Sequence, residues 1–236
     1  MAGWIALFGA VIYLDTTAAF QFMLCQPIIA CPLYGMIVGR LEIGLFFGIT
    51  FQLLWLRALP VGAARFPEGN LGALVATALA ATIPPTAGGA AGLLVLACAT
   101  FAGLLTAGFG RHLTATVRHL LRHFADSYQS ALLKARRWHA RTLFLAALFF
   151  NAVAGALFVL VLYFVFLQVM RGLLGVSAQV PLSVQNAELT DRLWSGLRPA
   201  LLGAGAGIVA ARFVREHTLK WTIGGFVIAL VVFLCL

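Results

Sequence analysis

The sequence predicts an all-α integral membrane protein, a polytopic helical bundle with short re-entrant or broken helices and one long amphipathic cytoplasmic helix. Three observations predict this class. Apolar residues make up 62% of the 236 residues and charged residues only 10%. The mean hydropathy of +1.01 exceeds that of an ordinary soluble domain. The basic residues lie mostly at the ends of apolar segments, which is typical of membrane proteins and argues against nucleic acid as a partner.

The first part of the chain contains apolar stretches of unequal length. They cover residues 3–13, 27–39, 41–56, 71–83 and 87–109. The first stretch lacks the basic start and the cleavage site of a signal peptide, so we expect it to remain in the protein. A stretch of 13 residues rises about 20 Å as a helix, less than the thickness of a hydrocarbon core. We therefore expect re-entrant or broken helices within residues 1–110, with a break near Pro84 and Pro85, and such elements commonly hold the substrate of a transporter.

Residues 111–141 have a different composition, with seven of the sixteen Lys and Arg residues and four of the five histidines. Helical spacing relates the apolar residues of this segment, which are Leu113, Val117, Leu120, Leu121, Phe124, Tyr128, Ala131, Leu132 and Ala135. The spacing predicts one long amphipathic helix with a basic outer face. The positive charge places this helix in the cytoplasm. Its apolar stripe fits either the bilayer surface or a partner subunit.

Residues 142–236 are predicted to hold the C-terminal spans of the same single membrane domain, which covers residues 1–236. The segment 142–170 is long enough to cross the membrane, so residues 171–198 should lie outside. A later basic segment returns the chain to the cytoplasm before a final span that ends outside. Close helix packing is expected at three glycine pairs, Gly35 and Gly39, Gly44 and Gly48, and Gly203 and Gly207.

Other motifs favour packing or surface roles. His119 and His123 have the i, i+4 spacing of a metal pair, but Arg122 stands between them, so we expect a basic surface there. No phosphate loop of the Walker type and no Ser, His and Asp arrangement is recognisable. We therefore expect no catalytic residue, no metal and no cofactor. Inert packing positions within apolar runs are predicted for Cys25, Cys31, Cys98 and Cys235.

Six polar residues interrupt the apolar N-terminal part of the chain. A charge at the centre of a bilayer costs about 2.5–3.5 kcal/mol on the insertion scale, so such residues usually face a cavity. Asp15 and Glu68 could instead lie at the membrane interfaces, where this cost falls away. The candidate substrate-binding residues are Asp15, Gln21, Gln26, Gln52, Glu68 and Asn70.

The segment that contains these residues, from "LDTTAAFQFMLCQPIIACPLYG" to "LLWLRALPVGAARFPEG", resembles the IIC permease subunit of mannose/fructose/sorbose-type bacterial phosphotransferase systems. The resemblance covers the order LD, AFQ, the P-x-x-A-x-P-L-x-G turn, LLWL and PVGAA. It continues through "LVATALA" to about residue 80. Beyond that it is looser, although "HFADSYQSALL" and His139 are similar to the cytoplasmic segment of the family.

The resemblance implies a multi-pass permease of the bacterial inner membrane that assembles with a IID membrane subunit, as part of a higher oligomer. The pair would carry a hexose inward, and soluble IIB and IIA proteins would supply the phosphate, so this chain is not expected to be an enzyme. It also implies that the six polar residues line a sugar site, because carboxylates and amides at fixed positions suit the recognition of hydroxyl groups.

The chain departs from the family pattern at several positions. Gln26 stands where an arginine is expected, and Gln52 stands where a glutamate is expected. Arg40 replaces an acid, Arg57 replaces a glycine, and Glu68 alone replaces an acidic pair. Three hypotheses therefore stay open: a sugar permease of altered specificity, a transport-deficient paralogue that acts as a membrane scaffold or sensor, and an unrelated small-molecule channel.

Overall fold

The computed structural model describes residues 1–19, 21–55, 67–83 and 90–179, together with Val227. Among these residues the regular structure is helical and no strand occurs, which confirms the predicted all-α class. The helices are α1 (Ala2–Thr17), α2 (Pro27–Ile37), α3 (Leu41–Trp55), α4 (Gly69–Thr82), α5 (Ala90–Leu133) and α6 (Arg137–Gln179).

The helices fall into two length classes. Two segments, Leu94–Leu133 of α5 and Arg137–Leu173 of α6, are long and apolar enough to cross a membrane. The other four helices have 16, 11, 15 and 14 residues. The shortest, α2, rises only about 17 Å. The prediction of short helices is therefore confirmed, and the predicted break at Pro84 and Pro85 lies outside the described residues, between α4 and α5.

Helices α2 and α3 form a tight hairpin. Gly39 lies in the turn with a φ of +71°, a conformation that residues with a side chain rarely adopt. A Cβ atom added to Gly44 would collide with the carbonyl group of Cys31, and one added to Gly35 would lie 2.7 Å from the carbonyl oxygen of Arg40. The predicted close packing is thus confirmed at Gly35, Gly44 and Gly48, where a Cβ atom would lie 2.8 Å from the carbonyl oxygen of Pro27, whereas Gly39 allows the turn. The third glycine pair, Gly203 and Gly207, lies outside the described residues.

Helix α4 lies at the centre of the bundle. Every residue from Leu71 to Ala81 is buried. All five of the other helices contact α4. Close packing of α4 on α5 depends on small residues, because a Cβ atom on Gly72 would collide with the carbonyl oxygen of Gly103. Helix α1 packs mainly on α6, and α2 and α3 cover another side of α4.

The predicted helix over residues 111–141 is wrong in its bounds. Helix α5 continues unbroken from the apolar segment to Leu133, and a turn at residues 134–136 leads into α6. Ala135 has a φ of 54° in this turn. A change from apolar to basic side chains does not interrupt backbone hydrogen bonds, so composition alone does not end a helix.

Part of the apolar stripe of this segment packs within the chain, whereas Leu120, Tyr128 and Leu132 are exposed. Val117 is buried, and Leu113 and Leu121 pack against the buried core. Further along, the ring of Phe124 lies 6.1 Å from the ring of Phe150 on α6, measured between centroids. The predicted spans and loops beyond residue 179, like Arg57 and Cys235, lie outside the described residues.

Candidate functional site

The six predicted polar residues meet at one cavity of about 340 Å³. Helices α1 and α3 end at this level and α2 and α4 begin there, so the cavity is built from helix ends. Helix ends carry unpaired backbone groups, and polar side chains commonly satisfy them. The residues predicted from the sequence that line the cavity are Asp15, Gln21, Gln26, Gln52, Glu68 and Asn70.

Asp15 holds the loop between α1 and α2. Its side chain is 3% exposed. Oδ1 accepts a hydrogen bond from the Phe22 amide at 2.7 Å, and Oδ2 accepts one from the Cys25 amide at 2.9 Å. Gln21 and Met23 in this loop have φ values of 52° and 63°, so the loop contains left-handed residues that are not glycine. Both oxygens of Asp15 therefore stabilise a strained wall of the cavity.

Gln26 and Gln52 form a pair across the cavity wall. Gln26 is the N-cap residue of α2, and its Oε1 atom accepts a hydrogen bond from Nε2 of Gln52 at 3.1 Å. Oε1 of Gln52 accepts a hydrogen bond from the amide of Ile28 at 3.4 Å. Because that amide belongs to the first turn of α2, the α3 side chain satisfies a donor that has no partner within its own helix.

Glu68 connects the start of α4 to α5. The residue is 1% exposed, and Thr114 donates a hydrogen bond to its Oε1 atom at 2.5 Å. The Glu68 amide donates to the carbonyl oxygen of Ala107 at 3.0 Å. Gly110 leaves room for this side chain, since a Cβ atom there would lie 2.5 Å from Cβ of Glu68. The Tyr13 hydroxyl, 3.5 Å from Oγ1 of Thr114, extends the network to α1.

Asn70 and Trp55 complete the wall. Nδ2 of Asn70 donates to Oγ1 of Thr16 at 3.3 Å. The Nε1 atom of Trp55 is buried and has no hydrogen-bond partner among the described residues. Its ring packs so closely on Gly69 that a Cβ atom there would collide with it. Trp55 is not among the residues predicted from the sequence. Its one distinguishing feature there is its position, as an aromatic residue at the end of the apolar stretch that precedes PVGAA.

Several polar groups of the lining remain available to a ligand. Within the described part of the chain, hydrogen bonds use Oε1 of Gln26, Nδ2 of Asn70 and Oε1 of Glu68. The Gln26 amide nitrogen and Oδ1 of Asn70 are left on half-buried residues, whereas the second oxygen of Glu68 and the indole N–H of Trp55 belong to buried groups. The lining therefore offers both hydrogen-bond donors and hydrogen-bond acceptors to the cavity.

The comparison with known proteins identifies the family. A family model described as the sorbose-specific IIC component of the PTS system matches residues 2–235. The chain is 29% identical over 129 residues to the PTS system mannose-specific EIIC component of Escherichia coli (strain K12), which covers 54% of this chain and 47% of that protein.

Two further relatives have the same kind of name. The PTS system sorbose-specific EIIC component of Klebsiella pneumoniae is 30% identical over 99 residues, 42% of this chain and 36% of that protein. The fructose permease IIC component of Bacillus subtilis (strain 168) is 30% identical over 106 residues, 45% of this chain and 37% of that protein. The chain thus aligns with about half or less of the length of these curated relatives. Because the family model matches nearly the whole chain, the protein belongs to the sorbose-type IIC family of phosphotransferase system components.

Proposed function

We propose that this protein is the permease subunit of a phosphoenolpyruvate-dependent sugar phosphotransferase system in the bacterial inner membrane, and that a hexose-type sugar binds in the cavity of about 340 Å³. The observation that carries the proposal is the convergence of all six polar residues on that cavity. Its volume is at the lower end of the range for small-molecule pockets, about 300–1,000 Å³. A hexose fits such a space better than a larger ligand does.

The lining suits a sugar in two ways. Each hydroxyl group of a sugar both donates and accepts hydrogen bonds, and the amides of Gln21, Gln26 and Asn70 offer both functions. Trp55 supplies an aromatic surface for the apolar face of a sugar ring. Asp15 has a different role, because both of its oxygens already bond to the loop backbone. In this proposal Asp15 positions the site and does not touch the sugar.

A IID membrane subunit is the proposed partner within the bilayer. Helix α2 is too short to span, and its outer side exposes Ile28, Met36 and Ile37 at 51%, 58% and 43%. Short helices at membrane depth need protein cover, because their ends carry backbone groups that lipid does not satisfy. This supports assembly with IID and a higher oligomer. Soluble IIB and IIA proteins would supply the phosphate, as the family membership suggests.

The test uses the chain reconstituted with its IID partner in nanodiscs and a panel of hexoses and amino sugars. Binding should change the fluorescence of wild type and of Trp138→Phe, because Trp138 is 79% exposed and lies far along the chain from the cavity. The change should be lost in Trp55→Phe. If wild type neither binds nor transports any sugar of the panel, the permease proposal fails. That result would favour the hypothesis of a membrane scaffold or sensor.

A further inference from the structure

Helix α5 carries a row of three consecutive Arg and His pairs, which we name the Arg–His ladder. Their spacing of seven and four residues corresponds to about two turns and one turn of an α-helix, so all six side chains share one face. Each of them is exposed. In the described part of the chain no arginine of the ladder forms a salt bridge. The ladder consists of Arg111, His112, Arg118, His119, Arg122 and His123.

The ladder stands on a rigid support. The opposite side of α5 holds Val117, which is buried, and Phe124, whose ring contacts Phe150 of α6. Nearer the tip, Ala131 and Ala140 are also buried, at 2% and 3% exposure. The two helices therefore pack along their length, and we name residues 111–150 of this pair the arm. The ladder faces away from α6, along the outer side of the arm.

The length of α5 places most of the ladder beyond the lipid. The apolar part, residues 90–110, rises about 31 Å and by itself crosses a hydrocarbon core of about 30 Å. The ladder begins directly after it and rises about 18 Å further along the same unbroken helix. The headgroup layer on one side of a bilayer is only about 5–8 Å thick. Lipid headgroups can therefore reach the first Arg and His pair, but not the pairs at 118 and 122.

A second copy of the chain does not fit this surface either. Seven Lys and Arg residues and a single acid, Asp126, lie between residues 111 and 141, so two arms would repel each other. The three arginines of the ladder form no salt bridge within the described residues, although Arg118 is attracted by the carboxylate of Glu68. Such a row of exposed arginines in water is complementary to an acidic protein surface. We propose that the Arg–His ladder is the docking surface for a water-soluble protein with an acidic face.

The docked protein would lie beside the sugar cavity. Arg118 is one turn beyond Thr114, which donates its hydrogen bond to Glu68 of the cavity wall. Arg111 follows Gly110, the residue that packs on the same glutamate. On the proposed function, the soluble protein that must meet the arriving sugar is the phosphate-donating IIB protein, and the choice of IIB as the partner rests on that proposal. The ladder would hold IIB at the mouth of the cavity.

The experiment measures the binding of purified IIB to the chain and its IID partner in nanodiscs of phosphatidylcholine, which carries no net charge. The test variant is His119→Glu/Arg122→Glu. The control is Arg40→Glu/Arg171→Glu, which reverses two exposed charges at the opposite end of the bundle. We expect the test variant to bind IIB about tenfold or more weakly, because exposed ion pairs become repulsive, and the control to bind like wild type. Raising the salt concentration should weaken wild type more than the test variant.

Three results would overturn the inference. Equal binding of IIB by the test variant and the control would show that the ladder is not the docking surface. Absence of IIB binding by wild type, with hexose binding intact, would refute the docking but leave the permease proposal standing. A photoreactive group at position 119 that cross-links in cells to phospholipid, and not to IIB, would assign the ladder to the membrane. Absence of hexose binding by wild type would contradict the proposed function instead. Hexose binding by the test variant serves as the control that this variant is folded.

Discussion

The hydrogen bond between Gln26 and Gln52 yields the sharpest prediction. These residues stand where the family resemblance leads us to expect an arginine and a glutamate, and their side chains bond to each other at 3.1 Å. On that expectation we infer that the two departures are one exchange, in which a neutral amide pair stands in place of a charged pair at the same contact. The double variant Gln26→Arg/Gln52→Glu should consequently be tolerated better than its two single variants suggest.

The magnitude follows from the contact. A neutral hydrogen bond contributes about 1 kcal/mol net, and one to a charged group contributes about 1.5–3 kcal/mol. Gln26→Arg alone places a charge in a half-buried position whose direct hydrogen-bond partner, Gln52, is neutral, and it should destabilise the protein. Gln52→Glu alone should be milder, because it still accepts from the Ile28 amide and the Gln26 amide group can turn to donate to it. We expect a coupling energy of about 1.5–3 kcal/mol in favour of the double variant.

The assay is a double-mutant cycle on the thermal unfolding of the reconstituted protein. For a chain of this size 1 kcal/mol corresponds to about 2–4 °C in Tm, so the coupling should appear as about 3–12 °C. The control cycle uses Gln129→Arg and Gln168→Glu, two exposed glutamines on different helices. If the shifts of the single variants add up in the double variant, as they should in the control, the reasoning from the amide pair is refuted.

Three further predictions concern the loop, the tryptophan and the orientation. Asp15→Ala should lower Tm by several degrees and open residues 21–25 to protease, since two hydrogen bonds to a buried carboxylate contribute about 1.5–3 kcal/mol each. Gly69→Ala should displace the ring of Trp55, which would be measured as a shift in tryptophan emission and weaker sugar binding. Ser130→Cys, in a chain without native cysteines, should react with a membrane-impermeant maleimide only in inside-out vesicles, because the positive-inside rule predicts a cytoplasmic arm.

The first two of these predictions have matched control variants. Glu42→Ala removes an exposed acid and should leave Tm and the protease pattern unchanged, so an equal effect at both acids would contradict the role of Asp15. Gly3→Ala adds a Cβ atom to open space and should change neither emission nor binding. If Gly69→Ala also leaves the tryptophan emission and the sugar binding unchanged, the close contact between Gly69 and the indole of Trp55 does not position the ring. Labelling of position 130 from outside intact cells would show that the arm lies outside, which contradicts the predicted orientation.

Apolar stretches predicted the described helices well because a helix in lipid must keep its backbone groups bonded and its side chains apolar. The stretch at residues 41–56 corresponds to α3, Leu41–Trp55. Polar residues inside such stretches were equally informative, because their cost in lipid makes them face a cavity. That is why Gln26 and Gln52, on different helices, were both among the candidates that line the cavity, although their binding roles remain predictions.

What the sequence did not predict depends on contacts between distant segments. The left-handed φ of 54° at Ala135, which separates α5 from α6, is not encoded by a glycine or asparagine. The tie between Asp15 and the loop backbone required knowing how the chain turns after α1. Trp55 looked like any other apolar residue, and only its packing on Gly69 and its unpaired indole nitrogen mark it as part of the site.

The burial of α4 limits how this protein can change through evolution. A helix with one outward side tolerates substitutions with a period of 3.6 residues, whereas α4 is enclosed from Leu71 to Ala81 and has no permissive side. A larger side chain anywhere along it would overpack the bundle, at a cost of about 1–3 kcal/mol. A mutational scan of α4 should therefore show uniform intolerance without helical periodicity. On the proposed function, new sugar specificities would have to arise at the helix ends around the cavity, where Gln26 and Gln52 already depart from the pattern that the resemblance implies.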